Sequence, residues 1–366
     1  MDALFITHGV GLDIHKKVIV ATVLTPDLTE TRTFGSVTEE LLALGNWLMA
    51  CRVTYVAMEA TGVYGKLVVN LLESYEFTAV WVVNPHHITG MPGRKTDVQD
   101  SHGIAYLLRL DALKGSDIPS RSQRELQEIV RYRKSLIQLR ATEANRIQKV
   151  LEGANVKLSR VFTDVLGGVT GQRILAAALC GVVQRHQQLM LRVQLELITF
   201  LDCQIATLNT KISAPLANFD DALTRLETIP GVGRRTTQTI IAEVGVDMQR
   251  FSSARHLSSW AGFSPGQNES ASKTHLARAR QGSKALREAL MEAGQAAGKT
   301  KTYLGAVYHR LAGRRGKKRA AMAIGRHILI AAYAIVKTPN TVYQDLGINY
   351  FDQRDRQTVV RRQTDA

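Results

Sequence analysis

The sequence predicts a multidomain α/β plus α protein. Three observations predict it. Short β-rich runs alternate with helical ones over the first hundred or so residues. A Gly-poor stretch with three- and four-residue apolar spacing follows, from Ser120 to about Lys211, and a strongly basic, mostly helical region closes the chain. Strand, helix and loop in the first part place candidate ligand groups at strand ends.

Val10 to Val23 reads as two strands around the polar group His15 to Lys17, and Asp13 lies inside the first apolar run. A carboxylate there is costly to bury alone, so it needs a partner, a bound cation or an exposed sheet end. Thr29 to Phe34 alternates as a further strand, and Thr38 is the expected cap of a helix through Cys51. Val53 to Met58 is a compact buried strand running straight into Glu59-Ala60-Thr61-Gly62, so a second acid stands at a strand end, before a helix from Val63 to Tyr75. Thr78 to Val83 is another strand, closed by Asn84-Pro85.

Lys95-Thr96-Asp97-Val98-Gln99-Asp100 then opens a helix in which Asp97 and Asp100, three apart, share a face. Two carboxylates so placed repel, and each raises the other's pKa unless something positive lies between them. They either take a hard divalent cation or act as ordinary first-turn acids at the helix start.

The stretch from Ser120 to Lys211, with Pro119 before and Pro215 after, is long amphipathic helix, divided by Gly167-Gly168 and Gly171. Met190 to Ile212 carries Leu191, Leu195, Ile198, Leu201, Ile205 and Leu208 on one stripe. An intramolecular spacer and a coiled-coil arm for self-association both fit this pattern. Beyond it, Ile229-Pro230-Gly231-Val232-Gly233 opens a helix from Arg234 to Val244. Gly231 and Gly233 either present backbone N–H groups to a phosphate, as in helix-hairpin-helix DNA binders, or form a tight interhelical turn.

Ser264 to Lys273 is rich in Gly, Pro, Ser and Asn and reads as a loop. From Ser270 to Ile330 the chain has 14 Lys or Arg, among them Lys273, Arg278, Arg280, Lys284 and Arg287, against Glu288 and Glu292. That imbalance suits phosphate contacts. The whole chain of 366 residues has 47 Lys+Arg against 32 Asp+Glu, a formal charge of +15. The expected partner is therefore a polyanion, with nucleic acid first among the candidates. Cys51, Cys180 and Cys203 are odd in number and far apart, which indicates neither a disulfide framework nor a zinc knuckle. Apolar runs such as Leu175 to Val183 and Ile328 to Val336 are about half a membrane span, and no signal pattern opens the chain. The expectation is a soluble cytosolic protein, nucleoid-associated when bound. His15, His86, His87 and His102 lack zinc spacing, and His102 is expected to be packed or to support a neighbour. Aromatic residues make up 6% of the chain and form no stacking platform for single-stranded RNA.

Gly11-Leu12-Asp13, Met58-Glu59-Ala60-Thr61-Gly62 and Lys95-Thr96-Asp97-x-x-Asp100 together resemble the DEDD signature of the insertion-sequence 110 family of transposases, its 1111-like subgroup and the related Piv-type DNA invertases. The resemblance implies a RuvC-like ribonuclease-H fold for the N-terminal domain, with Asp13, Glu59, Asp97 and Asp100 as catalytic metal ligands. Hard oxygen donors suit Mg²⁺, and two such ions about 4 Å apart clamp the attacking and leaving oxygens of a phosphodiester. Pro265, Gly266, Asn268, Glu269, Ser270, Ala271, Lys273, Gly282 and Leu286-Arg287 resemble the family's C-terminal serine motif, which makes Ser270 the implied DNA-attacking nucleophile. Ser272 and Ala277 replace glycines of that motif, so the assignment to Ser270 over Ser272 rests on motif position.

The implied mechanism is attack by Ser270 on a DNA phosphorus, with a covalent phosphoserine link and a free 3′-hydroxyl kept for rejoining. Lys273, Arg278 and Arg280 would steady the phosphate. The implied partners are donor and target DNA, a structured non-coding (bridge) RNA guide and further copies of the chain in a dimer or tetramer. The resulting division is a RuvC-like DEDD domain over 1–118, a helical coiled-coil-like region over 119–224, a C-terminal transposase domain over 225–345 and a polar tail over 346–366. Two other classes fit the residues: a metal-dependent, junction-resolvase-like nuclease in which water attacks, and a DNA-binding assembly protein without chemistry.

Overall fold

The computed structural model describes residues 6–59, 64–83, 96–113, 115–116, 118–156, 176, 183–264, 269–270, 273–274, 282–351 and 353. The chain forms two compact units, Met1–Arg121 and Ser122–Ala366. The first is mixed α/β and the second mostly helical.

In the first unit, β1 (Gly9–Ile14), β2 (Val18–Leu24) and β3 (Thr29–Gly35) are antiparallel neighbours, while β4 (Tyr55–Glu59) and β5 (Ala79–Val83) run parallel to β1. The sheet order is β3-β2-β1-β4-β5. The polar group at His15 to Lys17 is the hairpin turn, with His15 N–H donating to the Val18 carbonyl at 2.9 Å.

One face of the sheet packs α1 (Thr38–Ala50) and α2 (Tyr64–Leu72). Val10, Leu12, Ile14, Val56 and Met58 meet Leu44, Leu48, Val68 and Leu72 there. The other face packs α3 (Asp97–Arg109) through Ala57, Val83, Ile104 and Leu108. Burial on both faces explains why β1, β2 and β4 read as continuous apolar runs rather than alternating ones. Each fully buried leucine or isoleucine among these contributes about 1.5–3 kcal/mol.

Thr38 is not the cap of α1. Val37 holds that position without a side-chain bond, and Thr38 is the first helical residue.

In the second unit, α4 (Arg121–Gly153) and α5 (Arg185–Leu216) are the long helices expected from the apolar spacing. Ile147, Leu151, Val183, Leu191 and Ile198 form a small core between them, and Leu126, Val130, Ile212 and Leu216 join the main core of the unit. Pro215 lies inside the end of α5 rather than beyond it. The last turn tolerates the missing N–H because the chain passes directly into a 3₁₀ turn at Ala217–Phe219. The Gly167-Gly168 and Gly171 divider falls outside the described residues.

The main core gathers α6 (Asp220–Glu227), α7 (Arg234–Val244), α8 (Ala254–Trp260), α9 (Lys284–Ala297), α10 (Tyr303–Arg315) and α11 (Lys317–Lys337). By length and composition α11 is apolar enough to cross a bilayer, which the shorter run Ile328 to Val336 does not convey. Ile324, Ile328, Leu329 and Ala332 of α11 are nevertheless buried in the protein core, where an amphipathic core helix places them.

Candidate functional site

The first site is built around a glycine. A Cβ on Gly11 would stand 2.2 Å from the Ser101 carbonyl oxygen and 2.4 Å from the Ala105 nitrogen, both backbone atoms of α3. Only a residue without a side chain lets that helix lie so close to β1. The approach is pinned by Ser101, whose buried hydroxyl is 2.7 Å from that of Thr22 on β2. The helix therefore starts beside the carboxyl end of β1, where Asp13 sits two residues beyond Gly11 on the same face.

Thr96 caps α3, its hydroxyl accepting from the Gln99 N–H at 3.3 Å. Asp97 and Asp100 are thus first-turn residues freed from the capping role. The positive end of the helix dipole favours both carboxylates.

Asp13 is 5% exposed. His15, next on the same strand face, approaches Asp13 Oδ2 at 3.1 Å and Asp97 Oδ1 at 3.4 Å through Nε2. Ligand atoms of these three residues lie within 4.8 Å of one another. Burial pushes the Asp13 carboxyl above its ordinary pKa. The His15 charge and hydrogen bond oppose that shift, and the Asp97 and Asp100 charges add to it. Partial burial opposes the charge on His15, but Asp13 first and then Asp97 outweigh it and push the imidazole pKa up. The imidazole occupies the place that a cation would take between the two carboxylates.

Glu59 ends β4 and is half-buried. The parallel register pairs Gly11 with Ala57 and Leu12 with Met58. One step further it sets Glu59 beside Asp13, and Ala57, two residues back, packs against α3. Asp100 is half-buried and close enough for its charge to act on Asp13. All four sequence-predicted acids thus belong to the end of one sheet and the start of the helix covering it.

In the sequence His15 belongs to the polar group between two strands and has no zinc spacing. Its position two residues after Asp13, at a strand end, was the available signal. His102 is exposed rather than packed, and His86 and His87 lie outside the described residues.

The donor set tests what the site can hold. Carboxylate oxygens suit a hard divalent ion, and an imidazole beside them is compatible with Mg²⁺-like or Mn²⁺-like chemistry. A buried Asp13 close to other acids is stabilised by exactly such a positive charge.

The second constellation lies in the other unit. The loop expected from Ser264 to Lys273 contains a short hairpin, β6 (Glu269–Ser270) and β7 (Lys273–Thr274), whose register sets Ser270 opposite Lys273. Arg278 and Arg280 lie outside the described residues. A Cβ on Gly282 would meet the Ala261 carbonyl at 2.3 Å, so this glycine ties the chain after the hairpin to the turn at Trp260–Gly262. Ser283 then caps α9, accepting from the Leu286 N–H at 3.2 Å, and its hydroxyl donates to Glu243 Oε2 at 2.9 Å. Leu286 is fully buried, and Lys284 is exposed, 3.9 Å from Glu288. Arg287, on the next position of α9, is partly buried.

Gly231 adopts φ +82°, and a Cβ there would stand 2.4 Å from the Ala293 carbonyl of α9. Its conformation and packing both require glycine. Gly233 is exposed with open space around it, at the N-cap of α7.

Residues 10–156 match the family model named DEDD_Tnp_IS110 and described as "Transposase". Residues 223–309 match the model described as "Transposase IS116/IS110/IS902 family". The two matches together cover more than half of the chain. The transposase for insertion sequence element IS1111A of Coxiella burnetii is 25% identical over 269 residues, 71% of this chain and 72% of that protein. The pilin gene-inverting protein of Moraxella lacunata is 26% identical over 342 residues, 90% of this chain and 95% of that protein, and its counterpart in Moraxella bovis is 25% identical over the same length.

Proposed function

Since the chain belongs to the insertion-sequence 110 family of transposases, we propose that it cuts and rejoins DNA strands at insertion sites with a divalent-metal acid site and a serine nucleophile. The observation carrying this reading is the convergence of Asp13 and Asp97 on His15, at the sheet end where Glu59 and Asp100 also belong. The five-stranded sheet, with acids ending β1 and β4 and a helix bringing two more, supports reading this unit as a RuvC-like ribonuclease-H domain.

In the proposed reaction Asp13, Glu59, Asp97 and Asp100 hold Mg²⁺. The ion, when bound, neutralises charge developing on the phosphate and lowers the barrier for a hydroxyl nucleophile. His15 would stand beside such an ion as a hydrogen-bonding partner of Asp13 and Asp97. Ser270 Oγ attacks the phosphorus and loses its proton. The P–O3′ bond breaks, and the departing 3′-oxygen takes up a proton. The phosphoserine link conserves the bond energy, so the 3′-hydroxyl of another strand can reverse the step without ATP.

Lys273, Arg278 and Arg280 neutralise the phosphate in this scheme, with Lys284, Arg287 and the Gly231–Gly233 turn contacting DNA backbone further out. The functional division is the acid domain over 1–118, helices over 119–224, the serine domain over 225–345 and a tail over 346–366. The protein works in the cytosol as an oligomer, with a structured non-coding RNA choosing the target.

Incubating purified protein with Mg²⁺ and labelled DNA tests the scheme. The expected product is a covalent protein–DNA adduct, lost in Ser270→Ala and in Asp97→Asn while folding is retained. Free nicks surviving Ser270→Ala would replace this mechanism with hydrolytic, resolvase-like cleavage, and neither product would leave a DNA-binding protein without chemistry. Structured RNA co-purifying with the protein would support the guide.

A further inference from the structure

Helix α4 presents two arginines, two residues apart, to the core of the second unit, and their surroundings differ. Arg131 makes a bidentate pair with the buried Glu243, at 2.7 Å through Nε and 2.7 Å through Nη2. That carboxylate also accepts from Ser283 and is fully used. Arg133 is 3% exposed, yet its Nη1 donates only to amide oxygens, Asn209 Oδ1 at 3.0 Å and Gln238 Oε1 at 2.6 Å. Both acceptors are neutral.

The charge acting on Arg133 is that of another cation, Arg235, in the first turn of α7. Neither Arg133 nor Arg235 has a carboxylate partner among the described residues. Among the described residues that line the cavity beside them, Glu292 is the acid, and it pairs with Lys134. Burial first, and Arg235 second, push the Arg133 guanidinium down to about 10, which still leaves it charged at neutral pH. A buried cation facing a second cation is a costly arrangement unless an anion joins it.

A cavity of about 120 Å³ adjoins these groups, lined by Arg133, Lys134, Arg235, Thr236, Ala289 and the carboxylate Glu292, among other residues, so three cations there face one acid. It is well below the roughly 300–1,000 Å³ of pockets that engulf a drug-sized ligand, and several times what one water requires. The size fits a tetrahedral oxyanion and excludes a base with its sugar. Exposed Arg235 keeps the cavity reachable from solvent, and the Thr236 hydroxyl adds a donor beside the cations, while the Thr239 hydroxyl donates to the Arg235 carbonyl at 2.9 Å. The first turn of α7 contributes the positive end of its dipole.

We propose that this cavity seats one backbone phosphate of duplex DNA, with Arg133 and Arg235 as its cationic donors and Thr236 as its hydroxyl donor. The inference rests on the reading of the chain as a DNA recombinase. The residues of the seat are other than those of the serine hairpin and of the acid cluster. It anchors the duplex to the helical unit without reading sequence, because a phosphate carries none.

Fluorescence anisotropy of a labelled DNA duplex against the full-length protein, across a salt series, tests it. Arg235→Gln removes one phosphate contact, so affinity should fall roughly tenfold and the slope of log K against log salt should become shallower by about 0.9. Ala289→Leu leaves every charge in place and fills the cavity. It should weaken binding comparably and also flatten the slope, which a general surface-charge effect would not produce. Circular dichroism and the unfolding midpoint check that both variants fold.

Unchanged affinity and slope in Ala289→Leu would overturn the proposal. A defect confined to a labelled single-stranded RNA, with duplex DNA unaffected, would overturn the duplex as occupant. If wild-type protein shows no salt-dependent binding to the duplex, the recombinase reading fails by itself. Inorganic phosphate then decides the seat separately. At matched ionic strength against chloride it should raise the unfolding midpoint of the wild type and not that of Arg235→Gln, and equal responses of the two would overturn the seat.

Discussion

Gly11→Ala is the smallest change that separates the sheet from its acid-bearing helix. The added methyl would meet the Ser101 carbonyl at 2.2 Å and the Ala105 nitrogen at 2.4 Å, where ordinary contacts begin near 3.4 Å. Both are backbone atoms inside α3, so neither can rotate aside, and the helix has to retreat by about 1 Å. Overpacking of this kind costs about 1–3 kcal/mol. Stretching the buried Thr22–Ser101 hydrogen bond, 2.7 Å in the structure, adds about 1 kcal/mol. The expected destabilisation is therefore roughly 2–4 kcal/mol.

The same retreat carries Asp97 away from His15, which it now meets at 3.4 Å, and opens the cluster. Gly9→Ala is the matched control. Its Cβ would meet Leu108 Cδ2 at 3.0 Å, with Leu108 Cγ and Ile6 Cγ2 at the ordinary contact distances of 3.5 and 3.7 Å, so side chains and no backbone atom have to give, at a cost of about 1 kcal/mol. Urea unfolding measures the stabilities, and the rise in unfolding midpoint on adding Mn²⁺ or Mg²⁺ reports the cluster. The expectation is a large loss of both in Gly11→Ala and near wild-type behaviour in Gly9→Ala. Equal stability and an equal metal response in the two variants would refute the claim that the glycine positions the site.

Other outcomes follow from the same geometry. Asp13 has a raised folded pKa, so its penalty is absent below the unfolded value of 3.8, grows as pH rises through the folded value and is complete above it. Metal-free Asp13→Asn should accordingly be more stable than wild type at neutral pH, and saturating Mg²⁺ should shrink or reverse the difference in chemical denaturation. His15 carries the opposite dependence. Its stabilisation is complete below the unfolded value of 6.5 and is lost as pH rises through its raised folded value, so His15→Gln should flatten the metal-free stability profile from 6.5 upward. Arg131→Met leaves Glu243, 3% exposed, with Ser283 as its remaining side-chain partner among the described residues. A loss of about 1–3 kcal/mol is expected by urea unfolding, and Glu243→Gln in the same background should recover part of it.

The sequence by itself determined the elements and the chemistry available to them. Apolar runs bounded by turn residues gave β1 to β5 nearly to the residue, and three- and four-residue spacing gave α4, α5 and α7, because burial has to follow backbone period. Asp13 and Glu59 stood out as carboxylates at strand ends, but Asp97 and Asp100 alone also fit ordinary first-turn acids, and the four acids were grouped, like the serine motif, through the resemblance to the family.

What only the tertiary structure decided is which groups meet. No local pattern says that Gly11 admits a helix to van der Waals contact, that His15 spans two carboxylates, or that Arg133 is buried among neutral amides beside Arg235. Those facts depend on residues about 80 to 100 positions apart being pressed together by two cores. The charge a side chain feels is set by those neighbours, not by its own place in the sequence.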